Sequence, residues 1–154
     1  MLHPLFPLPL APAGSQIQAS GPLRVPDGIR LRGAYIMSSW FALTGIHPTN
    51  DGREDLIQTF TENDHCDLLG KNRLITWGNT VVEGAPNPSL DLPYLDPLHA
   101  PSDWCQGLPE VFERIFVSTG KKECLRDGIR MVFEEKIKPH HGEAEYFEQD
   151  GVQW

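Results

Sequence analysis

The strongest periodicity lies in the last third of the chain. Leu125, Ile129, Val132, Phe133 and Ile137 recur at i, i+4, i+7, i+8 and i+12, which places them on one apolar face of a helix. Arg126, Asp127, Arg130, Glu134, Glu135 and Lys138 take the opposite side, and Pro139 ends the pattern. A helix over 124–138 is therefore predicted. Before it, Ile115-Phe116-Val117 reads as the centre of a buried strand over 114–119 that closes in a turn at Ser118-Thr119-Gly120. After it, 144–148 reads as a short strand. Strand, helix and strand with short links form a βαβ unit and imply a parallel sheet.

A third strand is expected at 33–38, where Gly33-Ala34-Tyr35-Ile36-Met37-Ser38 forms a nearly continuous apolar run suited to cover on both faces. The middle of the chain is less patterned. A short helix is expected near 53–60, with Asn50 or Asp51 as its cap, although Gly52 weakens it. Leu69, Ile75 and Trp77 suggest a further helix over 68–80. Residues 84–109 hold six of the fourteen prolines and read as a long ordered loop. Residues 1–28 hold another six prolines and only two charges, so they read as an irregular arm, with 29–154 as one domain.

Length and charge narrow the field. At 154 residues the chain suits one domain. A net charge of −8 removes the basic face that nucleic-acid binding needs, so no nucleic-acid partner is expected. The interior run from Gly33 to Ile46 is too short to span a bilayer, which takes about 20 apolar residues. The apolar start, MLHPLFPLPLAPAGS, lacks a basic leading region and is broken by Pro4, Pro7 and Pro9, so it does not read as a signal peptide. Three cysteines cannot all pair within the chain and show no C-x-x-C spacing, which points to reduced thiols and a cytoplasmic location. His65-Cys66-Asp67 and His140-His141 lack the paired spacings of zinc sites, so neither a metal nor another cofactor is expected.

Three blocks carry a resemblance. Val117-Ser118-Thr119-Gly120-Lys121-Lys122-Glu123-Cys124-Leu125-Arg126-Asp127 has the form strand, glycine, acid, Leu-Arg-Asp and amphipathic helix. Leu92 to Trp104 precedes it, and Leu31-Arg32-Gly33-Ala34-Tyr35-Ile36-Met37-Ser38-Ser39-Trp40 lies further upstream. In this order the blocks resemble α/β-hydrolases of the hormone-sensitive-lipase and arylacetamide-deacetylase type, with fungal esterase-like members, over residues 31–154. The resemblance implies the C-terminal part of an α/β-hydrolase fold and a relation to carboxylic-ester hydrolases. It places Glu123 at the acid position, where it would hold a histidine ring and stabilise the imidazolium. Asp127 would be the structural acid of Leu-Arg-Asp.

The chain departs from that pattern at decisive points. It contains no G-x-S-x-G nucleophile elbow and no HGGG-type oxyanion loop. The expected histidine position is filled by Gln153, whose amide cannot serve as a general base. His140 and His141 follow Pro139 and read as a solvated turn. Ser38 and Ser39 follow a strand but lack flanking glycines and a partner histidine. Trp40, Trp77, Trp104 and Trp154 read as packing residues rather than an acyl pocket. The expectation is a truncated or degenerate hydrolase relative, inactive by itself. Its alternative is a non-catalytic scaffold that binds a partner. A hydrophobic ester or small molecule is the expected ligand, and self-association through an exposed sheet edge is expected.

Overall fold

The computed structural model describes residues 28–48 and 54–151. Among these described residues five strands are formed: β1 (Ala34–Met37), β2 (Ile46–Pro48), β3 (Glu54–Leu56), β4 (Ile115–Gly120) and β5 (Ala144–Gln149). The helices are α1 (Thr59–Glu62), α2 (Lys71–Glu83), α3 (Pro88–Leu95), α4 (Leu108–Val111) and α5 (Arg126–Val132). A 3₁₀ turn at Pro97–His99 follows α3, and α5 continues directly into a π-helical segment at Phe133–Ile137.

The three expected strands form one parallel sheet in the order β1-β4-β5, with Ile36 beside Val117 and Val117 beside Tyr146. The molecule is thus of mixed α/β class. Alternation sorts the strand residues between two faces. Ala34, Ile36, Ile115, Val117, Ala144 and Tyr146 face α5 and its π-helical continuation, which bury Ile129, Val132 and Phe133 against them. Phe133 stacks on Tyr146 with ring centroids 5.3 Å apart. Ile129, Val132, Phe133 and Ile137 are buried as the pattern expects. The helix, however, is α only over Arg126–Val132 and becomes π-helical over Phe133–Ile137, where Lys138 N donates to Phe133 O at 2.8 Å.

The other face differs from expectation. Tyr35 is 63% exposed, Met37 47%, Phe116 37% and Phe147 51%, so the strand at 33–38 is covered on one face only. An apolar run cannot reveal from sequence whether a second layer exists to cover it.

The long excursion between β1 and β4 also departs from its local pattern. Where a helix near 53–60 was expected, β2 and β3 pair antiparallel, and helix begins only at Thr59. This ladder depends on a non-local partner, which local propensity does not specify. The second helix runs from Lys71 to Glu83, a few residues beyond 68–80, and its buried residues are Leu74 and Gly78. A Cβ on Gly78 would lie 2.0 Å from Leu43 O, so only glycine permits this approach of helix to loop. The proline-rich segment 84–109 is not a plain loop. Pro88 and Pro109 occupy first-turn positions of α3 and α4, where a missing N–H costs no intrahelical bond, and Pro93 lies inside α3. Ser118-Thr119-Gly120 is not a turn but the buried end of β4.

Ile57, Phe60, Leu74 and Leu98 join Val117 and Ile129 in the core, tying the excursion to the sheet. The arm at 1–28 lies outside the described residues except for Gly28, as do Gln153 and Trp154.

Candidate functional site

In open parallel sheets, ligand sites lie beyond the carboxyl ends of the strands. Here that end is occupied by Glu123. β4 extends to Gly120, and the turn that follows, closed by Glu123 N donating to Gly120 O at 3.1 Å, leaves Glu123 only 3% exposed. Its Oε1 accepts a hydrogen bond from Ser38 Oγ at 2.9 Å, and its Oε2 accepts one from Thr119 Oγ1 at 2.8 Å. Thr119 of β4 and Ser38, the residue directly after the adjacent β1, thus each supply a hydroxyl to one carboxylate.

Ser38 is held unusually. Its φ of +45° is in the left-handed region, unfavourable for a residue with a Cβ, and it stands directly after β1. Its N–H donates to Ser118 O at 2.9 Å, continuing the ladder by one residue and aiming the hydroxyl at Glu123. The strain is localised where a carboxylate and a serine meet.

The acid loop is clamped by the 57–67 segment. Asn63 Nδ2 donates to Glu123 O at 2.8 Å and to Lys121 O at 3.2 Å. Thr59 Oγ1 donates to Cys124 O at 2.8 Å, and Asp67 Oδ2 accepts from Cys124 N at 2.7 Å. On the other side, Lys121 N donates to Gln149 O and Lys122 N to Gly151 O, each at 2.9 Å. Nothing in the local pattern singles out Thr59, Asn63 or Asp67. Their role comes from a contact some 60 positions away in sequence.

The remaining acids and thiols have structural surroundings. Asp127 accepts from Arg126 Nε at 2.9 Å and lies 3.7 Å from Arg130, as suits a structural acid. Asp96 is fully buried, and its Oδ2 accepts from Thr44 N at 2.9 Å and Thr44 Oγ1 at 2.8 Å. Its Oδ1 lies 3.3 Å from His99 Nδ1. The Asp96 contacts were not legible in the sequence, because the partner Thr44 sits in an unpatterned loop. Burial, followed by the neighbouring Asp67 carboxylate, pushes the Cys124 thiol up to about 12. Burial pushes Cys105 up to about 11 against the opposing charge of Lys136. Neither is a thiolate nucleophile at neutral pH.

His140 and His141 fall apart from the acid. His140 Nε2 lies 2.8 Å from Ser102 O, and His141 Nε2 lies 3.0 Å from Phe112 O. His141 is 3% exposed, so it does not belong to a solvated turn. Both precede β5, at the end of the sheet where the strands begin. Glu123 lies beyond the other end, separated by six residues of β4, or about 20 Å of strand. Neither ring can serve Ser38 or Glu123. Gln153 lies outside the described residues. Among the described residues no group of three or more His, Cys, Asp or Glu is placed to hold a metal ion.

Compared with known protein families, with curated proteins and with solved structures, the chain matches none.

Proposed function

We propose that this chain is a degenerate α/β-hydrolase relative, akin to carboxylic-ester hydrolases, with Glu123 at the acid position and no turnover of its own. One observation carries the reading: a buried carboxylate at the carboxyl end of a parallel sheet, presented just after the strand that the resemblance assigns to it. In a complete site Glu123 would orient a histidine, and that ring would take the nucleophile's proton. Gln153 stands at the matching sequence position and cannot take a proton near neutral pH. Ser38 donates directly to a carboxylate, which is too weak a base to activate a hydroxyl.

The test is ester hydrolysis. Loss of triad members leaves about 10³–10⁴-fold over water, supplied by the oxyanion hole and substrate binding. With no oxyanion-loop motif in the sequence, that residual rate also goes. Turnover of p-nitrophenyl acetate and butyrate is expected to equal that of Glu123→Ala. Robust turnover abolished by Glu123→Ala would sink the reading and make Ser38 the first candidate nucleophile.

The non-catalytic alternative gains support from the uncovered apolar sheet face at Tyr35, Met37, Phe116 and Phe147, a surface suited to a partner or to a second copy. A hydrophobic ester or small molecule is the proposed ligand class. No helix among the described residues is long and apolar enough to cross a membrane. The free thiols of Cys66, Cys105 and Cys124 suit a cytoplasmic site of action.

A further inference from the structure

A cavity of about 280 Å³ lies on the helix-covered side of the sheet, away from Glu123. Ala34 and Ile36 of β1 form its floor together with Ile115 at the start of β4. Val132 and Ile137 close it from the helix, and Trp104 and Cys105 from the segment before α4. Its wall is almost wholly apolar, so water there would find too few of the partners it needs. A charged headgroup would likewise be unpaired. An enclosed apolar cavity of about 150 Å³ takes up benzene, and this pocket, partly open to solvent, offers roughly twice that volume. The wall also contains the end of the π segment, a rare helical geometry that tends to mark functional positions.

We propose that this cavity binds one uncharged apolar molecule of about two rings, or an unbranched chain of comparable volume. The site does not depend on Glu123 and stands whether or not the hydrolase reading does. Specificity comes from shape and desolvation, with Phe41, Trp104 and Phe112 set among aliphatic side chains in its wall.

The test uses N-phenyl-1-naphthylamine, an uncharged fluorescent probe, titrated into the full chain. Saturable binding at one probe per chain is expected, with energy transfer from tryptophan and competition by octan-1-ol. Ala34→Leu, which fills the floor, should weaken binding by at least about tenfold, the scale of a small misfit in an apolar pocket. Phe147→Ser, on the opposite and uncovered sheet face, should leave it within about twofold, as expected for independent sites. Should Ala34→Leu fail to fold, the smaller Ala34→Val decides by the same loss of binding. Absence of saturable binding overturns the proposal, and so does binding lost with Phe147→Ser but kept with Ala34→Leu, which would assign the probe to the sheet face.

Discussion

Single side chains far apart in sequence decide the geometry around Glu123. Asn63 is buried, and its amide donates to two carbonyls of the acid loop. Asn63→Ala should cost about 1–2 kcal/mol, because two buried acceptors lose their donor. The check is the midpoint of urea unfolding, with the slope unchanged. The buried thiols give a second residue-level expectation. The fold holds Cys105 neutral to about 11 and Cys124 to about 12, against an ordinary value of 9.0. Below pH 9 the folded and unfolded chains both carry neutral thiols, and this contribution to stability is complete. Above it the unfolded chain releases protons first, so stability falls as pH rises from 9 towards 12. Melting temperature measured over that range should fall, and less steeply in Cys105→Ala.

At the scale of elements, α5 and its flanking strands were legible because each carries its own pattern. Leu125, Ile129, Val132, Phe133 and Ile137 define a face whatever they pack against. α2 shows the opposite case. Its Leu74 and Gly78 are buried, whereas Trp77, a more conspicuous apolar residue, is 48% exposed. The close approach of Gly78 to Leu43 O gives a sharp expectation. Gly78→Ala should destabilise by about 3 kcal/mol through forced overpacking against backbone. Gly142→Ala, where an added Cβ meets nothing within 4 Å, should stay within about 0.5 kcal/mol. Thermal or chemical unfolding of the two variants side by side separates a local clash from a general effect of alanine.

For the molecule as a whole, the one-sided cover of the sheet is the dominant feature. Parallel sheets are ordinarily buried on both faces. Here Tyr35 and Phe116, with ring centroids 5.5 Å apart, and Phe116 and Phe147, 6.4 Å apart, form an aromatic surface in solvent. β1 is also an edge strand. Ala34 N and Ser38 N donate to carbonyls of the 114–118 segment, so the amides of Tyr35 and Met37 between them point away from the sheet. Among the described residues nothing pairs with this edge, and an unpaired edge beside an apolar face favours association between copies. The net charge of −8 opposes it, so added salt should strengthen it by screening. Analytical ultracentrifugation should therefore find self-associated species that increase with ionic strength, and Phe147→Ser combined with Tyr35→Ser should reduce them. A monodisperse monomer with a sharp cooperative melt at all salt concentrations would contradict this.

By itself the sequence determined the three parallel strands, the amphipathic helix between the last two, and the acidic charge, because periodicity and composition are properties of contiguous residues. Glu123 was the acid to examine only through the resemblance that the blocks around it carry. Tertiary structure alone decided that Ser38 and Thr119 hold that carboxylate and that Thr59, Asn63 and Asp67 clamp its loop. It likewise decided that β2 pairs with β3, that His140 and His141 stand at the opposite end of the sheet from Glu123, and that one sheet face is exposed. Each of these depends on which distant segments meet. Local propensity carries no record of such meetings, because the free energy that selects them comes from burial and hydrogen bonding across the fold.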